Sequence, residues 1–409
     1  MAKLERGSVG TRTANRGAVI AALLSGAGID RRQLVQQTGL SWATVARIVD
    51  DLLADGLALE QHKIVRDGPG RPGAALGFNP QSGLVCGIDL GGTYCRMVIA
   101  DGIGTAIIRC RDETPRDLGA AELASWIATR VLGLVERYGD GVPLTSVAIG
   151  LPGVVASTKD RVVGAFNLPQ ILGTTFVETV AAELGVPTII DNDSNLALLG
   201  ELHYGELPRD ETVVLLSLGT GLGSAVAFNR QVLAGPEGLL GEFGRLRLPG
   251  RKERLRDLLS GAGLLALAQE AGHRLRKADE VFAEADRFGG LVDEIHEALL
   301  HLVSIVALAY EPSTVVFTGG FSGAFSDSVL ESVSAETYET VGVQSDLRRS
   351  VLGESGGLLG AMAAALSGYY TAIGVARHQV ASITTSAPGV VAQLDSCAVD
   401  PSQAVLPSD

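Results

Sequence analysis

The chain has 409 residues, 46% apolar and 19% charged, which is enough for two or three domains with sizeable cores. Its net charge of −13 excludes a general nucleic-acid coat, yet residues 1–75 carry ten Lys/Arg against seven Asp/Glu, the pattern of a nucleic-acid binder appended to an acidic body. The four cysteines, Cys86, Cys95, Cys110 and Cys397, form no C-x-x-C pair, which argues against a disulfide framework or a cysteine zinc site and fits a reducing cytoplasm.

The first residues, M-A-K-L-E-R-G-S-V-G-T-R, have no apolar core, so no secretory signal is expected. Asn15–Ser25 places Val19, Ile20, Leu23 and Leu24 on one helical face. Asp30, with Gln33 three residues on, is a capping box for a second helix that Gly39 closes. Ser41 caps a third helix with the apolar face Val45, Ile48, Val49, Leu52 and Leu53, ended by Gly56. Two short helices joined by a tight turn form a helix-turn-helix, with Trp42, Thr44 and Arg47 off the apolar face. In that reading Ser41, Trp42, Thr44 and Arg47 enter a DNA major groove, while Arg12, Arg16 and Arg31 contact phosphates. Leu57–Glu60 and Lys63–Arg66 read as the strands of a small wing. Arg71, in G-P-G-R-P-G, reaches a minor groove or is a solvated linker charge; both readings stay open. The winged helix-turn-helix is placed at 12–68 and a linker at 69–82. The bland alternative is a generic three-helix domain with a Pro/Gly linker.

From residue 83 to 376 strands alternate with helices. Val85–Leu90, Arg96–Ala100 and Thr105–Arg109 form a three-stranded meander, followed by a helix over Ala120–Tyr138 and strands at Ser146–Leu151 and Thr188–Ile190. A second meander starts at Thr212. It is followed by a helix over Asp293–Tyr310, a strand at Thr314–Phe317 and a last helix at Gly357–Ala376. This pattern predicts an internally duplicated α/β protein with a nucleotide in the cleft between its halves. The uncharged run Ser355–Ala376 reads as a buried helix rather than a membrane span. Residues 377–409 lose periodicity and are expected to be disordered.

Three glycine turns carry candidate chemistry. Asp89, Gly91, Gly92 and Thr93 sit at the first meander's turn, where backbone N–H groups can approach a phosphate and a carboxylate can hold magnesium; a plain hairpin is the competing reading. Gly219, Thr220 and Gly221 occupy the matching turn of the second meander. Gly319 and Gly320 follow a buried strand and let a nucleotide base or ribose approach the backbone. Asp193 ends a strand and opens a helix. It suits the carboxylate that takes a proton from an attacking hydroxyl, and equally the N-cap of Ser194–Leu202. Asn192, Asn167 and Glu242 complete a polar ring for sugar hydroxyls, although turn and surface chemistry explains Asn167 and Glu242 as well.

The order and spacing of the helix-turn-helix with G-R-P, then I-D-L-G-G-T, G-L-P-G-V-V, F-N-L-P, D-N-D-S-N, G-T-G-L-G-S, G-P-E-G-L-L-G-E-F-G-R and P-S-T-V-V-F-T-G-G, resemble the ROK family (repressors, open reading frames, kinases) over about residues 12–375. The resemblance implies an actin-like ATPase-type sugar-kinase fold of two RNase H-like halves, with a hexose or derivative in the cleft. It assigns Asp89, Gly91, Gly92, Thr93, Gly219, Thr220 and Gly221 to ATP, with Mg2+, and Asn167, Asn192, Asp193 and Glu242 to sugar, Asp193 being the base. Members with an N-terminal winged helix resemble sugar-responsive regulators, often dimers or tetramers; members without it are sugar kinases.

One stretch departs from the family. Arg245 stands where the family pattern has His, and 246–260 contains neither Cys nor His, so no structural zinc is expected. Glu253 and Asp257 are weak candidates for the family's last sugar-contacting Glu. Arg245 is read either as a brace paired with Glu242 or Glu201, or as a contact to a sugar acid or phosphate. The sequence therefore predicts a carbohydrate-responsive, DNA-binding repressor. Its partners would be operator DNA and a sugar effector, with a homodimeric or homotetrameric state and no membrane. The alternative is an ATP-dependent sugar kinase.

Overall fold

The computed structural model describes residues 2–26, 28–61, 75–208, 211–283, 285–380 and 387–400. The chain forms two compact units: one from Met1–Ile149, Thr174–Ile190 and Ala361–Asp409, the other from Gly150–Gly173 and Asp191–Gly360.

The first unit begins with α1 (Ala2–Ser25), α2 (Arg31–Thr38) and α3 (Trp42–Ala54). The expected first helix thus starts already at Ala2. Val19, Ile20, Leu23, Val45, Ile48, Val49 and Leu52 are buried together with Leu34 of α2, while Leu24 and Leu53 are half-buried, so the two apolar stripes read from the sequence, on α1 and α3, face the inside. Asp30 accepts from the Arg32 and Gln33 amides at 2.9 Å, and Gln33 Oε1 accepts from the Asp30 amide, completing the capping box.

Strand β1 (Ala58–Gln61) pairs antiparallel with β2 (Ala75–Phe78), and Ile29 bridges Leu76 on the far side. The partner of β1 therefore comes from within the segment expected to be linker, and Asn79 continues into a 3-10 turn at Pro80–Ser82. The reason is tertiary. Phe78 packs edge-on against Tyr369 and Tyr370, with centroids 6.3 and 6.1 Å away, an anchor that no local pattern displays. Lys63–Arg66 and Arg71 lie outside the described residues.

Next come β3 (Leu84–Leu90), β4 (Tyr94–Asp101), β5 (Ala106–Glu113), α4 (Ala120–Tyr138) and β6 (Leu144–Leu151). The short hairpin β7 (Val154–Val155) and β8 (Val162–Gly164) belongs to the second unit. It is followed by α5 (Thr175–Leu184) and β9 (Thr188–Asn192).

The second unit continues with α6 (Asp193–Tyr204), β10 (Thr212–Leu218), β11 (Leu222–Phe228), β12 (Gln231–Val232), α7 (Leu255–Leu258) and α8 (Gly261–Glu270). Then come α9 (Glu280–Ala283), α10 (Ala285–Tyr310, kinked at Phe288), β13 (Thr314–Thr318), α11 (Asp327–Val341) and β14 (Asp346–Arg349). The uncharged run forms α12 (Gly356–Ala372), and no helix among the described residues is long and apolar enough to cross a membrane. The described residues end with α13 (Arg377–Val380), α14 (Ala387–Ser396) and β15 (Ala398–Val399).

The duplication is visible in the sheets. The first unit's order is β15-β5-β4-β3-β6-β9 and the second's is β12-β11-β10-β13-β14. Without β15 the two orders correspond strand for strand, each an antiparallel meander followed by two further strands. In the second sheet β10, β13 and β14 run parallel.

β15 corrects the expectation of a disordered tail. It pairs parallel with β5, Ala398 opposite Ile108 and Val399 opposite Arg109. Asp400 is 3% exposed at its side chain, and Arg130 Nη2 reaches it at 3.1 Å. The same guanidinium holds Asp112 through two bonds, at 2.9 and 3.2 Å. In α14, Val390 and Leu394 are buried one helical turn apart.

Candidate functional site

The DNA-facing candidates lie on α1–α3. Ser41 is the N-cap of α3, accepting from the Thr44 amide at 3.2 Å and sharing a 2.8 Å hydrogen bond with the Thr44 hydroxyl. Trp42 is 54% exposed and Arg47 is exposed. The three arginines expected on phosphates each meet a carboxylate of α3 or its C-cap: Arg31 with Asp50 at 2.9 Å, Arg16 with Asp55 at 2.6 Å and Arg12 with Asp51 at 3.6 Å. Such surface pairs are each worth about 0–1 kcal/mol, so a phosphate can displace them at little cost.

At the first glycine turn, the Gly91 amide donates to the Tyr94 carbonyl at 2.8 Å and Thr114 Oγ1 donates to the Gly91 carbonyl at 2.8 Å. Gly91 is therefore engaged in closing the turn, while Thr93 stands exposed beside half-buried Gly92. Desolvation pushes the Asp89 carboxyl above its usual range and Arg96, 3.8 Å away, pulls it back.

In the second unit the remaining glycine turns meet. Gly319 has φ +90°, and a Cβ there would lie 2.6 Å from Leu218 and 2.9 Å from the Gly219 nitrogen. The Gly219 carbonyl accepts from the Gly261 amide at 2.8 Å, tying this turn to the start of α8, while Gly320 has open space around it.

The sugar candidates all belong to the second unit. The N-cap of α6 is Asn192, which accepts from the amides of Ser194 and Asn195 at 2.9 and 3.2 Å. Asp193 is the first helical residue rather than the cap, because the strand's extended backbone ends one residue earlier, at Asn192. Its Oδ1 accepts from the Ser194 amide at 2.7 Å.

Asn192 Nδ2 donates to the Gly153 carbonyl at 2.8 Å. Gly153 lies against Ala165, since a Cβ there would be 3.1 Å from the Ala165 Cα. Half-buried Asn167 follows two residues later. Gly164 faces the Arg245 guanidinium, 3.7 Å from the position its Cβ would take, and Arg245 Nε is 3.4 Å from Glu242 Oε2. Asn192, Asn167 and Glu242 thus lie in one neighbourhood. Burial raises the Glu242 pKa, and Arg245 and Arg256 oppose it.

Of the two readings of Arg245, the geometry gives the brace on Glu242. Glu201 is not its partner: it is 2% exposed and accepts from Ser350 Oγ and the Leu352 amide. Asp257 accepts from the Arg254 amide at 2.8 Å, and Glu253 lies 3.9 Å from Lys252. What holds the 245–256 loop is apolar packing that the motif reading missed. Leu248, Leu255, Leu258 and Leu259 enter the core of the second unit, and Arg251 spans Glu294 and Glu297 at 3.0 and 2.9 Å. The signal was the leucine spacing, easily masked by the basic residues between.

Residues 85–367 match the ROK family. The xylose repressor of Caldicellulosiruptor bescii is 27% identical over 235 residues, 56% of this chain and 57% of its own length; the chain thus spans little more than half of that relative. A glucokinase of Halalkalibacterium halodurans is 26% identical over 309 residues, covering 67% of this chain and 92% of the enzyme. Among solved structures, a ROK family transcriptional regulator described as a homolog of the E. coli MLC protein superposes with a TM-score of 0.73 at 18% identity, covering 91% of this chain and 99% of that one. Two sheets of matching strand order, the sequence match over residues 85–367 and these relatives together place the chain in the ROK family.

Proposed function

We propose that the protein is a DNA-binding transcription regulator, a repressor of carbohydrate-utilisation genes, whose activity is set by a sugar bound in the second unit. The observation that carries this reading is the presence on one chain of a helix-turn-helix with exposed Trp42 and Arg47 and of a neighbourhood that gathers Asn167, Asn192 and Glu242. The xylose repressor and the regulator fold support it. In this reading α3 enters the major groove and the chain acts as a homodimer or homotetramer on paired half-sites. Sugar favours one of two states and thereby changes the fit to the operator. Arg47→Ala is expected to weaken binding to DNA from upstream of the protein's own gene by about tenfold or more at fixed salt, measured by gel shift.

The glucokinase relative favours a second reading, an ATP-dependent sugar kinase. There Asp193 takes the proton of the attacking sugar hydroxyl, and the turns at Asp89–Thr93, Gly219–Gly221 and Gly319–Gly320 serve ATP with Mg2+. A coupled ADP-release assay over a panel of hexoses separates the two. The repressor reading expects no sugar-dependent turnover; turnover that Asp193→Asn abolishes would establish the kinase.

A further inference from the structure

Phe166 is 70% exposed, the most exposed large apolar side chain among the described residues. A single exposed apolar side chain needs no explanation by itself; what sets Phe166 apart is the guanidinium over its ring and the site residue beside it. Its backbone is fixed between buried Ala165 and Leu168, and it directly precedes Asn167. The Arg256 guanidinium lies 5.2 Å from its ring centroid. Arg256 is itself held by α7, through buried Leu255 and Leu258, and by Asp257 at 3.7 Å. Through its effect on Glu242, Arg256 also belongs to the neighbourhood of the sugar candidates. The ring thus has a set position next to an amide suited to a sugar hydroxyl, with its far side in solvent.

We propose that Phe166 is the stacking platform of this site and takes the apolar C–H face of a neutral monosaccharide whose hydroxyls are held by Asn167, Asn192 and Glu242. The proposal rests on the reading that the second unit binds sugar. The π face is electron-rich and attracts polarised C–H groups, while one ring of a monosaccharide matches its size. The choice of a neutral sugar follows from charge. Arg245 has Glu242 as partner and Arg256 has Asp257, so each guanidinium already faces a carboxylate.

Calorimetric titration of the full chain with neutral aldopentoses, aldohexoses and N-acetylhexosamines, beside a uronic acid and a hexose 6-phosphate, identifies the sugar that binds. Phe166→Ala is then expected to lose about tenfold in affinity, with Phe166→Tyr restoring it. Phe166→Trp should bind that sugar with near-native affinity and give a saturable fluorescence change at the same midpoint, above the signal of the two native tryptophans. If wild type binds no sugar, the site reading and the platform fall together. If wild type binds and Phe166→Ala binds equally well, the platform alone falls. A change in sedimentation of Phe166→Ala with unchanged affinity overturns it too and makes the ring a contact between copies. Preference for the charged ligands overturns the choice of a neutral sugar.

Discussion

Gly360→Val is expected to destabilise the second unit by about 3 kcal/mol or more, read as a lower midpoint in chemical denaturation. A Cβ on Gly360 would overlap the Leu196 carbonyl oxygen of α6, and one on Gly200 would lie 2.6 Å from the Gly356 carbonyl oxygen. The obstacles are backbone atoms, which no rotamer change can move aside. α6 and the start of α12 therefore approach backbone to backbone, and α6 is the helix that opens with Asp193. The contrast is Gly133→Ala in α4, where nothing lies within 4 Å of the added Cβ. There the substitution removes unfolded-state entropy and is expected to stabilise by about 0.5–1 kcal/mol. An equal loss at both positions would refute the close-approach account.

Arg130→Ala is expected to cost about 3 kcal/mol in the first unit. It takes from Asp400, 3% exposed at its side chain, its 3.1 Å guanidinium partner, leaving Arg137 farther off at 3.8 Å and Tyr138 at 3.4 Å, and it strips Asp112 of a two-bond partner. Losing the anchor also frees β15 from the edge of β5. Hydrogen exchange should therefore accelerate at Arg109–Arg111 in step with the fall in stability. Asp400→Asn keeps a hydrogen-bonding side chain and should lose less. A silent Arg130→Ala would mean that the clamp does not hold the C-terminal strand.

The parts of the fold legible in the sequence were those with local causes. The Asp30–Gln33 capping box, the apolar stripe of α3 and the repeated strand-turn-strand patterns are each written within a dozen or so residues, and all appear. What escaped depends on distant partners. Val390 and Leu394 have helical spacing, but residues 398–400 are held by pairing with Ile108 and by Arg130, far back in the chain. β2 is selected by Tyr369 and Tyr370, not by its own short sequence. For the site, the residue types at Asn192 and Asp193 were legible, but their division of labour turned on one residue of backbone geometry, which makes Asn192 the cap. Arg245 gave two readings because a charge does not name its partner, and the structure supplies Glu242. Phe166 stood inside a recognised motif, and its exposure is a property of the fold alone.

The central claim is that sugar binding in the second unit changes the affinity of the helix-turn-helix for DNA. It is tested most directly by fluorescence anisotropy of labelled DNA from upstream of the protein's own gene, titrated at fixed salt with and without a saturating sugar that calorimetry shows to bind. The account predicts specific binding whose affinity shifts by about tenfold or more, in either direction, when the sugar is present. No preference over unrelated DNA, or an affinity indifferent to a sugar that demonstrably binds, would contradict it.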